Sequence, residues 1–126
     1  MSGLCALALA TGLSWSIPGG DMVLAWKHSI ELTEWREYWH IDNRGLILVE
    51  ARVKGSGAGM DPGPGAQYKD GWWVWQPMPQ VELKALNLAR SGFVDDYTLC
   101  LDGTCRPLAI WLPGLGPVGD VQLSSC

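Results

Sequence analysis

Phenylalanine is almost missing from this chain, which holds one Phe against eight Trp and three Tyr. Charge is scarce too: 17% of the 126 residues are charged and 48% are apolar, a balance that excludes a disordered, solvated segment. The nine Lys and Arg are scattered singly in a chain of net charge −4. Nucleic acid is therefore not an expected partner, because a phosphate backbone rewards clustered positive charge. Long apolar runs are lacking as well. The stretch from Leu4 to Ile17 is broken by Thr11, Gly12, Ser14 and Ser16 and falls short of the roughly 20 residues a membrane-spanning helix needs. No Lys or Arg precedes it, the first being Lys27, so it does not read as a complete export signal. Met1 to Gly3 read either as a natural start or as an addition in place of a removed signal. Two catalytic signatures are also missing. No Gly-Lys-Ser/Thr ends a phosphate loop, and no Gly-x-Ser-x-Gly forms a nucleophile elbow.

What is present is alternation. Residues 1–126 suit one domain, and short runs of period two separated by Gly and Pro clusters predict an all-β fold. About eight strands are expected, in a small antiparallel barrel or sandwich. Strands are expected at Leu4–Leu9, Met22–Ile30, Trp35–Ile41, Leu46–Val53, Gly71–Trp75, Val81–Ala89, Tyr97–Leu101, Thr104–Trp111 and Val121–Ser124. A short helix is the alternative for Val81–Ala89. A Gly- and Pro-rich loop fills 55–70.

Two hairpins carry the site argument. A turn centred between Leu32 and Thr33 would set Ile30 against Trp35, His28 against Glu37, Trp26 against Trp39 and Leu24 against Ile41. A three-residue loop ending at Gly45 would pair Ile41 with Ile47, Trp39 with Val49, Glu37 with Ala51 and Trp35 with Val53. His28 and Glu37 then meet as polar intruders on one apolar face. Mutual satisfaction in the core is the ordinary explanation of such a pair. The functional one is a binding site in which His28, Ser29, Thr33 and Glu37 orient a polar ligand. Catalysis is the lesser reading, since Ser29 points to the opposite strand face from His28, and no catalytic residue is assigned. A metal would need further donors from Glu31, Glu34 or Asp61, so neither metal nor cofactor is expected. His40 reads as a solvated histidine.

Cys100 and Cys105 flank Leu101-Asp102-Gly103-Thr104, and an Asp-Gly hairpin turn brings them to a pair close enough for a disulfide. Cys5 and Cys126 remain, one near each end, for a second bond. Two disulfides imply an oxidising compartment. Reduced thiols or a metal site are the alternatives, though a Cys-x4-Cys spacing without a second close pair suits zinc poorly. The glycine segment from Gly55 is either a connection across the end of the fold or an anion cradle built of backbone amides. Trp72, Trp73 and Trp75 offer either core packing or an aromatic platform.

His28-Ser29-Ile30, Thr33, Glu37, Gly57-Ala58-Gly59-Met60 and Asp70-Gly71-Trp72-Trp73 together resemble a bacterial family, the domain of unknown function 1850 family, over roughly Cys5 to Cys126. That resemblance implies a small exported, periplasmic protein beside the fused permease of a TAXI-type TRAP transporter. The partner is then a solute-binding protein, the permease or a small organic acid. Candidate ligand-binding residues are His28, Ser29, Thr33, Glu37, Gly57, Ala58, Gly59, Met60 and Trp72. Glu34 stands where many relatives have proline.

Overall fold

The computed structural model describes residues 3–27, 33–55, 63–93 and 95–126. Within them lie twelve strands and one short helix: β1 (Gly3–Ala8), β2 (Ser14–Pro18), β3 (Asp21–Lys27), β4 (Glu34–Asp42), β5 (Gly45–Lys54), β6 (Gln67–Lys69), β7 (Trp72–Trp75), β8 (Val81–Leu83), β9 (Ala85–Leu88), β10 (Thr98–Leu101), β11 (Thr104–Pro107), α1 (Leu108–Trp111) and β12 (Val121–Ser125). A four-stranded sheet runs β2-β1-β12-β9. An eight-stranded sheet runs β11-β10-β3-β4-β5-β7-β6, with β8 also on β5. The all-β reading holds, and the architecture is a sandwich of two antiparallel sheets rather than a closed barrel. Strands outnumber the expected eight: β2 and β6 form where none was expected, β6 inside the stretch 55–70 read as a loop, where it pairs with β7, and one expected run divides. The run at 81–89 divides at Lys84, its first half pairing with β5 and its second with β12, so one stretch serves both sheets. The expected strand at 104–111 turns instead into α1 after Pro107.

Both sheets turn aliphatic side chains inward. Leu4, Met22, Leu24, Ile41, Leu46, Leu99, Leu108, Leu112, Val121 and Leu123 are all at most 2% exposed and pack in one cluster with Trp39. Strand β5 is the hub. It holds β4 along one edge, and β7 then β8 along the other.

The β4–β5 hairpin closes on Asn43-Arg44, with Asp42 opposite Gly45. Asp42 accepts from the Arg44 amide at 2.8 Å, and the Arg44 hydrogen bonds hold its carboxyl below the ordinary range. Gly45 has φ 131°, and a Cβ there would lie 2.3 Å from the Leu83 carbonyl oxygen, so only glycine admits β8 at this point. The tip is thus one residue tighter than the sequence suggests. A bulge between Tyr38 and Trp39 takes up the difference: Trp39 faces Leu48 and Ile41 faces Leu46, while Glu37–Ala51 and Trp35–Val53 form as expected. Val49 is left unpaired and 42% exposed instead of meeting Trp39.

The β3–β4 hairpin differs more. Trp35 faces Trp26, Glu37 faces Leu24 and Trp39 faces Met22, so the expected cross-strand contact of His28 with Glu37 is replaced. The described pairs centre the hairpin two residues earlier than a turn between Leu32 and Thr33. The register moves by an even number of residues, which keeps the same side chains inward. It also gains a Trp26–Trp35 stack at 6.3 Å, worth about 0.5–1.5 kcal/mol beyond area burial.

Both disulfides form as the spacing suggested, Cys5–Cys126 and Cys100–Cys105. They close loops of very different length, with sequence separations of 121 and 5. Loop entropy assigns about 5 kcal/mol to the first and about 2 kcal/mol to the second. Urea unfolding of the paired Cys→Ser variants is expected to show that order of loss; equal losses would refute the loop-length account.

Candidate functional site

One end of the eight-stranded sheet gathers the chemistry. Strand β3 ends there at Lys27, β4 begins at Glu34, β5 ends at Lys54 and β7 begins at Trp72 beside Lys69, the last residue of β6. The segments 28–33 and 55–66 therefore both start from this end, and the second rejoins the sheet farther in, at Gln67 opposite Val74. His28, Ser29, Gly57, Ala58, Gly59 and Met60 lie outside the described residues. Thr33 is half-buried immediately before β4.

On the inward face Glu37 sits between Leu24 and Ala51. Its carboxylate accepts the Trp39 indole N–H at 3.3 Å. Burial raises the Glu37 carboxyl above its ordinary pKa, and the Trp39 hydrogen bond opposes that rise. A chain of aromatic contacts shares this end. Tyr97 lies 5.8 Å from Trp26, Trp26 stacks on Trp35, and Trp35 meets Trp75 edge-on at 6.2 Å. Burial, then the charge of Glu37, lifts the Tyr97 hydroxyl above its usual range. Trp73, opposite Val53, has a buried indole nitrogen without a hydrogen-bond acceptor among the described residues. Gly63 lies so close to Trp75 that a Cβ would come 2.3 Å from the indole nitrogen. Trp35, Trp73 and Trp75 are half-buried and stand outside the main core cluster.

Trp72 points the other way. It lies on the outward face under the Arg36 guanidinium, 4.8 Å from the ring centroid, and the Lys54 ammonium at 5.6 Å. Glu37 and Trp72, both candidates from the sequence, are thus separated by the thickness of the sheet. His40 is exposed, 3.2 Å from Asp21.

The residue that sequence reasoning missed is Arg90. Its side chain is 5% exposed, pairs with Asp96 at 3.1 Å and donates to the Gly116 and Gly119 carbonyls. Asp96 also accepts the Tyr97 amide, so Arg90 ties two loops together and sets Tyr97 beside Trp26. The only signal was a single basic residue ahead of Asp95-Asp96. Among the described residues no group of His, Cys, Asp or Glu is arranged to hold a metal ion.

A raised carboxyl fixes the sign of a pH effect. The folded state holds the Glu37 proton to higher pH than the unfolded chain, so stability falls as pH rises from the unfolded pKa, about 4.3, through the folded one. Glu37→Gln removes that loss. Urea unfolding is expected to show the variant gaining on the parent chain between pH 4 and 8, whereas a constant difference would contradict the burial argument.

No curated protein and no solved structure matches the chain. A family model described as Domain of unknown function (DUF1850) matches residues 22–108, a span from the start of β3 to the start of α1 that contains Glu37, the aromatic chain and Arg90. On that match over more than half its length, the chain belongs to the DUF1850 family.

Proposed function

We propose that the chain is a periplasmic accessory protein of a TAXI-type TRAP transporter, binding a transporter component, the solute-binding protein or the fused permease, through the aromatic end around Glu37. The observation that carries the binding role is the half-buried series Tyr97, Trp26, Trp35 and Trp75 beside one desolvated carboxyl. Large rigid rings with a few directed polar groups are the usual composition of a recognition site. The orphan Trp73 donor adds a group that an incoming acceptor would satisfy. The transporter context rests on the family resemblance, and two disulfides suit an oxidising compartment.

A small organic acid is the second ligand class. Its support is the raised Glu37 pKa, which widens the pH range in which this carboxyl is protonated and able to donate to another. No hydrolytic mechanism is proposed, because Leu24 occupies the cross-strand position on which a His28–Glu37 dyad was built.

The test is calorimetry of the purified chain with the solute-binding protein, with detergent-solubilised permease and with organic acids. Trp35→Ala and Glu37→Ala are expected to weaken binding at least about tenfold, the scale of an interface anchor, while retaining a cooperative melt. Silence with every ligand would reject the binding role in favour of a structural adaptor.

A further inference from the structure

The outward face of β3, β4, β5, β7 and β6 collects five of the chain's nine basic residues: Lys27, Arg36, Arg52, Lys54 and Lys69. The register explains their arrangement. Arg36 lies directly opposite Arg52, a like-charge pairing that costs stability by itself. Each arginine is relieved by the glutamate two residues before it on the same strand face, Arg36 by Glu34 and Arg52 by Glu50, both at 2.6 Å. Aromatic rings then hold the cations flat. Arg52 lies 5.0 Å over Tyr38, while Arg36 and Lys54 share the Trp72 ring. Lys54 and Lys69 flank Trp72 on its two neighbouring strands and are exposed.

Two features distinguish this face. At the end where β3 and β5 finish, its five cations outnumber the carboxylates of Glu34 and Glu50 in a chain whose net charge is −4, while Asp21 and Asp42 lie at the far end of the same face beside His40 and Arg44. Its centre combines arginine, tryptophan and tyrosine, the residue types that dominate binding hot spots. Grooves of about 330 and 380 Å³ border it, one beside the Cys100–Cys105 disulfide and one along β6 and β7.

We infer that this face docks an acidic surface of a partner protein. Charge complementarity selects the sign of the partner, and Trp72 with its stacked arginine supplies a preformed anchor whose side-chain freedom is already reduced. The surface lies across the sheet from Glu37, so it stands or falls separately from the aromatic end.

The experiment titrates isotope-labelled protein with a short amidated peptide of alternating glutamate and valine, which in extended form presents carboxylates along one side. Saturable amide shifts are expected at Arg36, Arg52, Lys54 and Trp72, weakening with salt. Lys54→Glu with Lys69→Glu, both at exposed positions, is expected to lower affinity at least about tenfold with the remaining spectrum intact. Absent shifts, shifts confined to other surfaces, or unchanged affinity in the charge-reversed protein would overturn the inference. So would tighter binding of free succinate or of phosphatidylglycerol vesicles.

Discussion

The pairing of β5 with β4 governs the rest of the molecule. Leu46 and Leu48 face the core on one side of the bulge and Ala51 and Val53 on the other, although their sequence spacing would put the two pairs on opposite faces. The extra residue at Val49 restores the phase. Without it Ala51 and Val53 would point outward, Glu50 and Arg52 would be driven into the sandwich, and β7 would bring Trp72 rather than Trp73 to the inner face. A single unpaired residue therefore decides which chemistry each side of the large sheet displays.

Parity was legible in the sequence, and register was not. Alternation in Met22–Trp26 and Trp35–Ile41 named the inward residues correctly because burial enforces a period of two whatever the turn. The length of the β3–β4 connection has no such constraint. A shift by an even number of residues buries the same set, so hydrophobic pattern alone does not separate Trp26 against Trp35 from Trp26 against Trp39. Local turn chemistry did better where it was strong: Asp102-Gly103 set the Cys100–Cys105 pair. Arg90 stayed hidden because its partners, the carbonyls of Gly116 and Gly119 among them, are remote in sequence. The Trp72–Arg36 contact was hidden likewise, since it crosses a whole intervening strand.

The candidate site divides accordingly. Glu37 was visible as a charge at an inward position, and the structure adds the cause of its perturbation, which is desolvation between Leu24 and Ala51 rather than a nearby ion. The same sheet presents a reluctant carboxyl on one side and stacked cations on the other. Its thickness keeps the two from neutralising each other, as cross-strand neighbours on one face would.

The Cys5–Cys126 bond has a consequence beyond stability. It joins the first and last strands' ends, which neighbour one another in the small sheet, and so makes the covalent path through the fold a ring. Cleavage at one point among the exposed residues Ser91, Gly92 and Phe93 would leave both pieces joined, and the nicked molecule would be visible only after reduction. Any tether added to either terminus would leave from the same spot, on the two inner strands of the small sheet beside the Cys5–Cys126 bond.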